Sequence, residues 1–271
     1  MDGEVFFYAI VGLFFGAIIF IRGLLWFRQK QMIENTPTSK IRSLAMGLVE
    51  IFGQVMPFEK KILKSPFSGK ECVYYKYAIE EHRKGGKGRM WTNIMMGENP
   101  QVFSPGGGGW VPIKTDEGRT VFYLKDNTGK VLVDPKGAKI EITADFEYNS
   151  GFGKDPPANV IEFLQKNGIS HEGFFGMNKE MRFREYIIEP GNKLYIMGTA
   201  GDNPYVEEGS ATEHVDDVMI HKGENEKLYF ISDSQEKDIV SKLRWKSRAG
   251  VFGGVALIAG CLVIIFLYTG F

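Results

Sequence analysis

The sequence predicts an α+β protein in which a β-rich globular domain, barrel-like or sandwich-like, is inserted between two transmembrane helices. Two uncharged apolar stretches, residues 5–21 and 249–271, lie at the two ends of the chain. Between them, short runs of alternating apolar and polar residues are separated by turns that contain glycine, proline, asparagine or aspartate. Such alternation is typical of β-strands, and 271 residues are enough for a sizeable buried core.

Each apolar stretch is long enough to cross the hydrocarbon core of a membrane, which is about 30 Å thick. A cleaved signal peptide does not fit the first stretch, because Asp2 and Glu4 stand where a signal peptide has basic residues and no small-residue cleavage site follows. A buried core helix is the alternative for either stretch, but core helices are usually shorter. We therefore predict two membrane anchors, with the lipid bilayer as a partner.

Basic residues flank both stretches on the side of the central domain. They follow the first stretch at Arg22, Arg28, Lys30, Lys40 and Arg42 and precede the second at Lys237, Lys242, Arg244, Lys246 and Arg248. Because basic residues favour the cytoplasmic side of a membrane, the pattern predicts a two-pass protein of the cell membrane, or of an organelle membrane in a eukaryote. The central domain is then cytoplasmic and both termini lie outside.

Small residues recur four positions apart within the apolar stretches. Gly12 and Gly16 lie in the first stretch, and Gly250 and Gly254 lie in the second. This spacing allows helix backbones to approach closely in a membrane. It predicts that these glycines pack the two helices against each other or against a second copy of the chain, as a homo-oligomer.

The central region is predicted to form nine strands and one helix, with a second helix leading into the last apolar stretch. The strands are expected at residues 45–56, 72–81, 120–125, 130–134, 139–142, 183–189, 193–198, 218–222 and 227–232. Asp155 and Pro156 open the first helix, and Gly168 closes it. The second helix starts at Asp233 and meets no helix breaker before the apolar stretch.

These elements divide the chain into an N-terminal membrane helix at 1–27, a β-rich domain at 28–232, an amphipathic stalk helix at 233–248 and a C-terminal membrane helix at 249–271. A subdomain break is expected near 150–157, where glycine and proline cluster. Loops are expected at 84–89, 104–110 and 201–212.

Charge and cysteine content exclude several functional classes. Thirty-three basic side chains balance 33 acidic ones, so no basic excess favours nucleic acid. Cys72 and Cys261 are the only cysteines, too few for a four-cysteine zinc site or a disulfide framework. We predict no catalytic, metal-binding or cofactor-binding residues.

Cys72 is the one candidate reactive thiol. Lys70 and Lys76 lie close in sequence and would lower the pKa of the thiol if they contacted it, but no activating base has an obvious position. The alternative, a small buried strand residue, is favoured. His214 and His221 flank an acidic pair, but a spacing of seven suits neither a helical nor a strand metal site.

Three basic residues in a glycine-rich segment are candidates for contact with a phosphate or a lipid head group. Lys84, Lys87 and Arg89 lie among glycines but lack the residue order of a P-loop. A hairpin tip is the favoured alternative. Trp110 is expected either as an interfacial anchor or in the core, and Tyr74 as part of a binding surface.

Several ordered motifs resemble the GIDE domain, also called BAM ("beside a membrane"). They lie at residues 65–69 (SPFSG), 72–81 (CVYYKYAIEE), 131–135 (VLVDP), 184–191 (REYIIEPG) and 229–232 (YFIS). The resemblance covers nearly the whole chain, including a membrane span on each side. Mitochondrial members of this family carry a C-terminal RING finger and act as ubiquitin or SUMO ligases.

The resemblance implies the non-catalytic part of that function. A RING finger needs eight cysteine or histidine ligands, whereas the sequence has two cysteines and four histidines, so ligase activity is not expected here. We expect a scaffold, partner-binding or membrane-stress-sensing module that binds a membrane or cytoplasmic protein. The alternatives are a component of an E3 ubiquitin ligase-like system that obtains its RING from another protein, and a lipid or small-ligand binding module with a pocket inside a barrel.

Overall fold

The computed structural model describes residues 2–35, 38–59, 61–83, 109–173, 177–206, 217–224, 228–234 and 236–269. The candidate head-group contacts Lys84, Lys87 and Arg89 lie outside the described residues, as does His214.

The described residues form three α-helices and thirteen strands. The helices are α1 (Asp2–Asn35), α2 (Ala158–Lys166) and α3 (Glu236–Thr269). The strands are β1 (Gly47–Pro57), β2 (Leu63–Lys64), β3 (Glu71–Cys72), β4 (Tyr74–Arg83), β5 (Gly109–Arg119), β6 (Phe122–Lys125), β7 (Lys130–Val133), β8 (Lys139–Glu141), β9 (Phe146–Ser150), β10 (Met181–Ile188), β11 (Lys193–Asp202), β12 (Val218–His221) and β13 (Phe230–Ser232). The predicted class is confirmed: the chain is an α+β protein with a β-rich region between two apolar helices.

Three strands, the two-residue β2 and the longer β5 and β9, are not predicted by the alternation of the sequence. Pro112 and Gly118 interrupt β5, and most of its side chains are exposed, so its apolar alternation is weak. β5 nevertheless pairs with β4 along its length, with a one-residue bulge at Ile113. Gly109 and Trp110, which the sequence places in a loop, therefore begin a strand.

Two compact units make up the chain. The first, the hairpin unit, comprises Met1–Phe52, Ala138–Ile140 and Leu194–Phe271. The second, the sheet unit, comprises Gly53–Gly137 and Glu141–Lys193. The segment limits expected from the sequence, and the break near 150–157, stay predictions.

The sheet unit has a four-stranded antiparallel sheet in the order β5-β4-β10-β9. α2 packs on one face of this sheet through Val160 and Leu164, which lie four positions apart on the helix. They are buried with Phe67, Tyr77 and Phe183. Burial of a large apolar side chain contributes about 1.5–3 kcal/mol, so this core stabilises the packing of α2 on the sheet.

The turn between β6 and β7 forms as the sequence predicts. Asp126 Oδ1 accepts hydrogen bonds from the backbone N–H groups of Thr128 (2.6 Å) and Gly129 (2.9 Å). An aspartate side chain that bonds the backbone two residues ahead is a standard way of fixing a tight turn. The hairpin brings Phe122 opposite Val133, both fully buried.

In the hairpin unit, α1 and α3 lie antiparallel and in close contact. Gly16 lies against Ile258 and near the carbonyl oxygen of Gly254, and Gly23 lies against Gly250. A Cβ added at Gly254 would lie 2.7 Å from the backbone nitrogen of Phe20. Real side chains do not approach that closely, so glycine at this position permits the observed spacing of the two helices.

By length and composition, α1 and α3 can each cross a membrane, over Glu4–Asn35 and Asp238–Leu267. Only 11% of the most apolar part of the first helix and 17% of that of the second are buried. The core helix of a globular protein buries its apolar stripe, whereas these helices expose most of their apolar side chains. Their surface therefore suits a lipid environment.

The ends of α1 and α3 furthest from the chain termini share a core with strands of the hairpin unit. Ile33 of α1 and Leu243 of α3 are buried together with Tyr195 of β11 and Phe230 of β13. α3 continues without a break from this core into its apolar part, as the sequence predicts. The stalk and the apolar segment therefore form one helix.

We expect Gly12→Cys to form an intramolecular disulfide with Cys261 in the full-length protein under mild oxidation. A Cβ at position 12 would lie 4.0 Å from the Cβ of Cys261, within the range of about 3.5–4.5 Å that disulfides adopt. The measurement is whether the two helices stay linked on a non-reducing gel after proteolytic cleavage between them. Gly253→Cys is the control, because no atom lies within 4 Å of a Cβ added there. Disulfide-linked dimers of Gly12→Cys, without the internal bond, would contradict packing within one chain.

Candidate functional site

A cluster of charged and aromatic side chains lies on the face of the four-stranded sheet opposite α2. Directly paired residues of an antiparallel sheet point to the same face. Arg182 pairs with Glu80, and His82 pairs with Trp110. With Arg184, two positions from Arg182 on β10, these residues form the outer cluster: Glu80, His82, Trp110, Arg182 and Arg184.

Glu80 is the centre of the outer cluster. Its side chain is only 6% exposed, and Arg184 Nη2 donates a hydrogen bond to its Oε2 at 2.7 Å. Arg182 Nη1 lies 3.8 Å from the same oxygen. A buried carboxylate that accepts from a guanidinium fixes the position of both groups. The two arginines keep 27% and 28% of their side chains exposed, so a binding partner has access to them.

Trp110 contacts both Arg182 and His82 within the outer cluster. The guanidinium carbon of Arg182 lies 4.2 Å from the centre of the Trp110 ring, a cation–π contact. The His82 ring centre lies 5.2 Å from the same ring, and His82 Nδ1 lies 2.8 Å from Glu180 Oε2. Trp110 is half-buried, so it is not a full core residue, and its role as an interfacial anchor stays a prediction.

A second buried carboxylate, Glu185, organises the 65–69 segment on the α2 side of the sheet. Glu185 is fully buried. Its Oε1 accepts from the backbone N–H of Phe67 at 2.6 Å, and its Oε2 accepts from the N–H and hydroxyl of Ser68 at 3.0 and 2.6 Å. Gly69 closes the loop with a φ of 67°, which favours glycine. Three hydrogen bonds to one carboxylate therefore hold this loop closed.

The loop held by Glu185 inserts Phe67 into the core. The Phe67 ring is buried, and its centre lies 5.2 Å from that of Phe163 on α2 and 5.4 Å from that of Tyr77 on β4. Edge-to-face aromatic contacts of this kind add about 0.5–1.5 kcal/mol beyond burial. Two of the GIDE-like motifs, 65–69 and 184–191, thus meet through a buried carboxylate, and their role at this point is structural.

Cys72, the candidate reactive thiol, is buried at the end of β3. Its Sγ–H donates to the carbonyl oxygen of Leu63 at 3.8 Å. Burial, followed by the negative charges of Glu185 and Glu189, raises the pKa of the Cys72 thiol to about 12. Lys70 pairs with Glu189 (Nζ–Oε1 2.7 Å) rather than with the thiol. The alternative of a small buried strand residue therefore describes Cys72.

Tyr74 does not belong to a binding surface, contrary to the prediction from its place beside a polar strand face. It is 2% exposed, and its hydroxyl donates to Glu117 Oε2 at 3.1 Å. Burial raises the pKa of the phenol above its usual value, with Glu117 as the next cause. The tyrosine is buried because it lies at the start of β4 beside the neighbouring β5.

The described residues contain no group of three or more histidine, cysteine, aspartate or glutamate side chains that could hold a metal ion. The outer cluster is the feature that the sequence analysis missed. Its signal is present in the sequence: Arg182 and Arg184 alternate on one strand, and Glu80 and His82 alternate on another. Pairing those two strands is a long-range event that the sequence pattern does not specify.

We expect Glu185→Gln to lower the free energy of unfolding by about 3 kcal/mol, because an amide cannot accept all the hydrogen bonds that the carboxylate accepts. Amide hydrogen exchange in residues 65–69 should accelerate together with the loss of stability. The matched control is Glu189→Gln. The Glu189 side chain is 33% exposed, so this substitution should lower the free energy of unfolding by less than about 1 kcal/mol. Equal effects of the two substitutions on denaturant unfolding of the full-length protein would contradict this role for Glu185.

We expect Cys72 to resist alkylation at pH 8 in the folded protein, because its raised pKa keeps the thiol protonated. In the unfolded chain the thiol ionises near its ordinary value of 9.0. Burial of the neutral thiol therefore contributes fully to the free energy of unfolding below about pH 9. That contribution is lost as the pH rises toward the pKa of Cys72 in the folded protein, about 12. The measurement is the rate of iodoacetamide modification of Cys72 by mass spectrometry, with urea-unfolded protein as the control. Rapid modification of the folded protein at pH 8 would contradict the prediction.

The residues from β5 into α3 match a known protein family. A family model described as "GIDE: E3 Ubiquitin ligase" matches residues 109–265, more than half of the chain. No match is found among curated proteins or solved structures. The matched region includes Trp110, Arg182, Arg184 and Glu185. The chain belongs to the GIDE family.

Proposed function

We propose that this protein is a membrane-anchored, non-catalytic scaffold that holds a protein-binding domain at the membrane surface. α1 and α3 span the cell membrane, or an organelle membrane in a eukaryote, and the β-rich region lies in the cytoplasm with both termini outside. The bound partner is a membrane or cytoplasmic protein. Binding of that partner, or sensing of membrane stress through it, is the function rather than a chemical reaction.

The observation that carries this proposal is the surface of the helix pair. Gly12, Gly16, Gly23, Gly250 and Gly254 face the neighbouring helix. Large apolar side chains point outward along the apolar parts of both helices. Among the exposed ones are Phe7, Phe14, Phe252, Phe266 and Leu267. A soluble protein rarely leaves so large an apolar patch in water, whereas a lipid bilayer covers it. The basic residues at 22–30 and 242–248 support the proposed cytoplasmic side.

The outer cluster supports the proposed partner site. Arginine and tryptophan are enriched among residues that contribute most to protein interfaces. Arg182 is held by Trp110 and lies near Glu80, so a partner does not have to order its side chain on binding. Two anchors near the domain also raise its effective concentration for other proteins in the same membrane.

A second candidate function is a component of a ubiquitin ligase system. The description of the matching family model as an E3 ubiquitin ligase favours it. Under this proposal the outer cluster is the surface that recruits a RING-containing protein of that system or its substrate.

Photo-crosslinking from the outer face tests the proposed function. A photo-reactive residue at Thr115, which is exposed and pairs with Ala78 on β4, should capture one recurrent membrane or cytoplasmic protein. We expect Arg182→Gln to reduce that capture about tenfold or more, in the range of a hot-spot residue. The control Lys166→Gln, on an exposed position of α2, should leave it unchanged.

Three outcomes separate the candidates. Capture of a partner that lacks ubiquitin-conjugation domains, with dependence on Arg182, supports the scaffold. Capture of a RING protein or a ubiquitin-conjugating enzyme supports the second candidate instead. Absence of any Arg182-dependent capture in the native membrane contradicts a partner site on this face.

A further inference from the structure

Five basic side chains surround the helix pair over a short length next to its apolar part. Arg22 and Arg28 are on α1, and Lys242, Lys246 and Arg248 are on α3; all five are exposed. These residues are called the basic girdle. Each helix contributes them from a seven-residue segment, 22–28 or 242–248, which spans about 9 Å along the helix axis.

The antiparallel packing places the two segments of the girdle at overlapping levels along the helix pair. Gly23, beside Arg22, lies against Gly250, two residues beyond Arg248. At the other end, Arg244 Nη2 lies 3.2 Å from Glu34 Oε1. Continued along both helices, the Gly23–Gly250 pairing places residues 242–248 of α3 beside about residues 25–31 of α1. The two segments therefore overlap in part, and together they span about 14 Å along the helix axis.

The charge of the girdle is not neutralised by the described residues. Glu34 is bound by Lys30 (2.8 Å) and by Arg244, two cations outside the girdle. Within the described part of the chain, none of the five girdle residues forms an ion pair with a carboxylate. The girdle therefore presents five positive charges to whatever surrounds the helices at this level.

Trp245 lies within the α3 segment of the girdle and is 74% exposed. Tryptophan is enriched at membrane–water interfaces, where its ring sits at the level of the head groups. Long basic side chains near it extend their apolar stems along the helix and their charges toward the polar layer. An exposed tryptophan next to an apolar span, together with basic side chains, is typical of a helix segment that lies at a negatively charged membrane surface.

We propose that the basic girdle binds the phosphate groups of anionic phospholipids and selects them over zwitterionic ones. This inference rests on the proposed membrane insertion of α1 and α3 and adds a lipid specificity to it. Guanidinium groups bind phosphate oxygens in a bidentate way, and ammonium groups bind them as point charges. Near an anionic membrane surface each basic residue changes the partition by about fivefold, so five of them give a marked preference.

The test uses the full-length protein reconstituted into an equimolar mixture of phosphatidylcholine and phosphatidylglycerol. After extraction into a mild detergent, the co-purified lipids are counted by mass spectrometry. We expect phosphatidylglycerol to exceed phosphatidylcholine about fivefold or more. The fourfold variant Arg28→Gln, Lys242→Gln, Lys246→Gln and Arg248→Gln should return the ratio to about one, because most of the girdle charge is gone.

A matched control removes the same number of charges from exposed lysines of the sheet unit. The substitutions are Lys64→Gln, Lys136→Gln, Lys166→Gln and Lys193→Gln, and the lipid ratio should stay at the wild-type value. Loss of the preference in this control as well would overturn the proposal, since net charge rather than the girdle would then govern it.

A salt titration of the wild-type protein tests the lipid preference without relying on the folding of a variant. Raising the salt concentration from about 0.1 M to about 1 M during extraction shortens the Debye length from about 10 Å to about 3 Å. The wild-type preference for phosphatidylglycerol should fall accordingly. An unchanged preference at high salt, or equal amounts of the two lipids at low salt, would overturn the girdle.

Failure of this inference is distinguishable from failure of the proposed function. If alkaline carbonate extracts the protein from the membrane, the two-span proposal fails, and the girdle with it. If the protein stays in the membrane but co-purifies equal amounts of both lipids, only the lipid preference fails.

Discussion

The close contact of α1 and α3 is the constraint on which the hairpin unit depends. Gly23 and Gly250 bring the two backbones together, so the helices enter the shared core at fixed positions. Ile33 and Leu243 can then pack with the strands of the same unit. In a membrane, small residues give helix pairs the close packing that the hydrophobic effect does not provide. The outward apolar surface and the exposed basic girdle belong to the same arrangement, because five glycines (12, 16, 23, 250 and 254) occupy the faces in contact.

In the sheet unit, two buried carboxylates perform a similar task on opposite faces of one sheet. Glu185 closes the 65–69 loop and fixes Phe67 in the core, whereas Glu80 holds Arg184 on the outer face. Burying a carboxylate is costly unless hydrogen bonds satisfy it, and here backbone N–H groups or a guanidinium do so. The consequence is a sheet whose outer face carries arginine and tryptophan side chains in positions that Glu80 and the neighbouring strands define.

The sequence predicts most elements of the fold because period-2 alternation and uninterrupted apolar stretches are local signals. β5 escapes prediction because Pro112 and Gly118 break the alternation, which an edge strand tolerates. Glu185 and the 65–69 loop lie more than a hundred residues apart, so their contact is invisible to local patterns. The sequence spacing identifies Gly16 and Gly254 as positions where helices can approach closely. Only the structure shows that they contact the other helix of the same chain.

The most direct test of the proposed membrane arrangement is the accessibility of a single cysteine to a membrane-impermeant reagent. Phe152, 87% exposed on the sheet unit, is the position for it, since Cys72 and Cys261 are buried and give a quiet background. With Phe152→Cys in the full-length protein, labelling is expected only after the membrane is opened or in inside-out vesicles. Labelling in intact cells, or recovery of the protein in the soluble fraction, would contradict a cytoplasmic domain held by two spans.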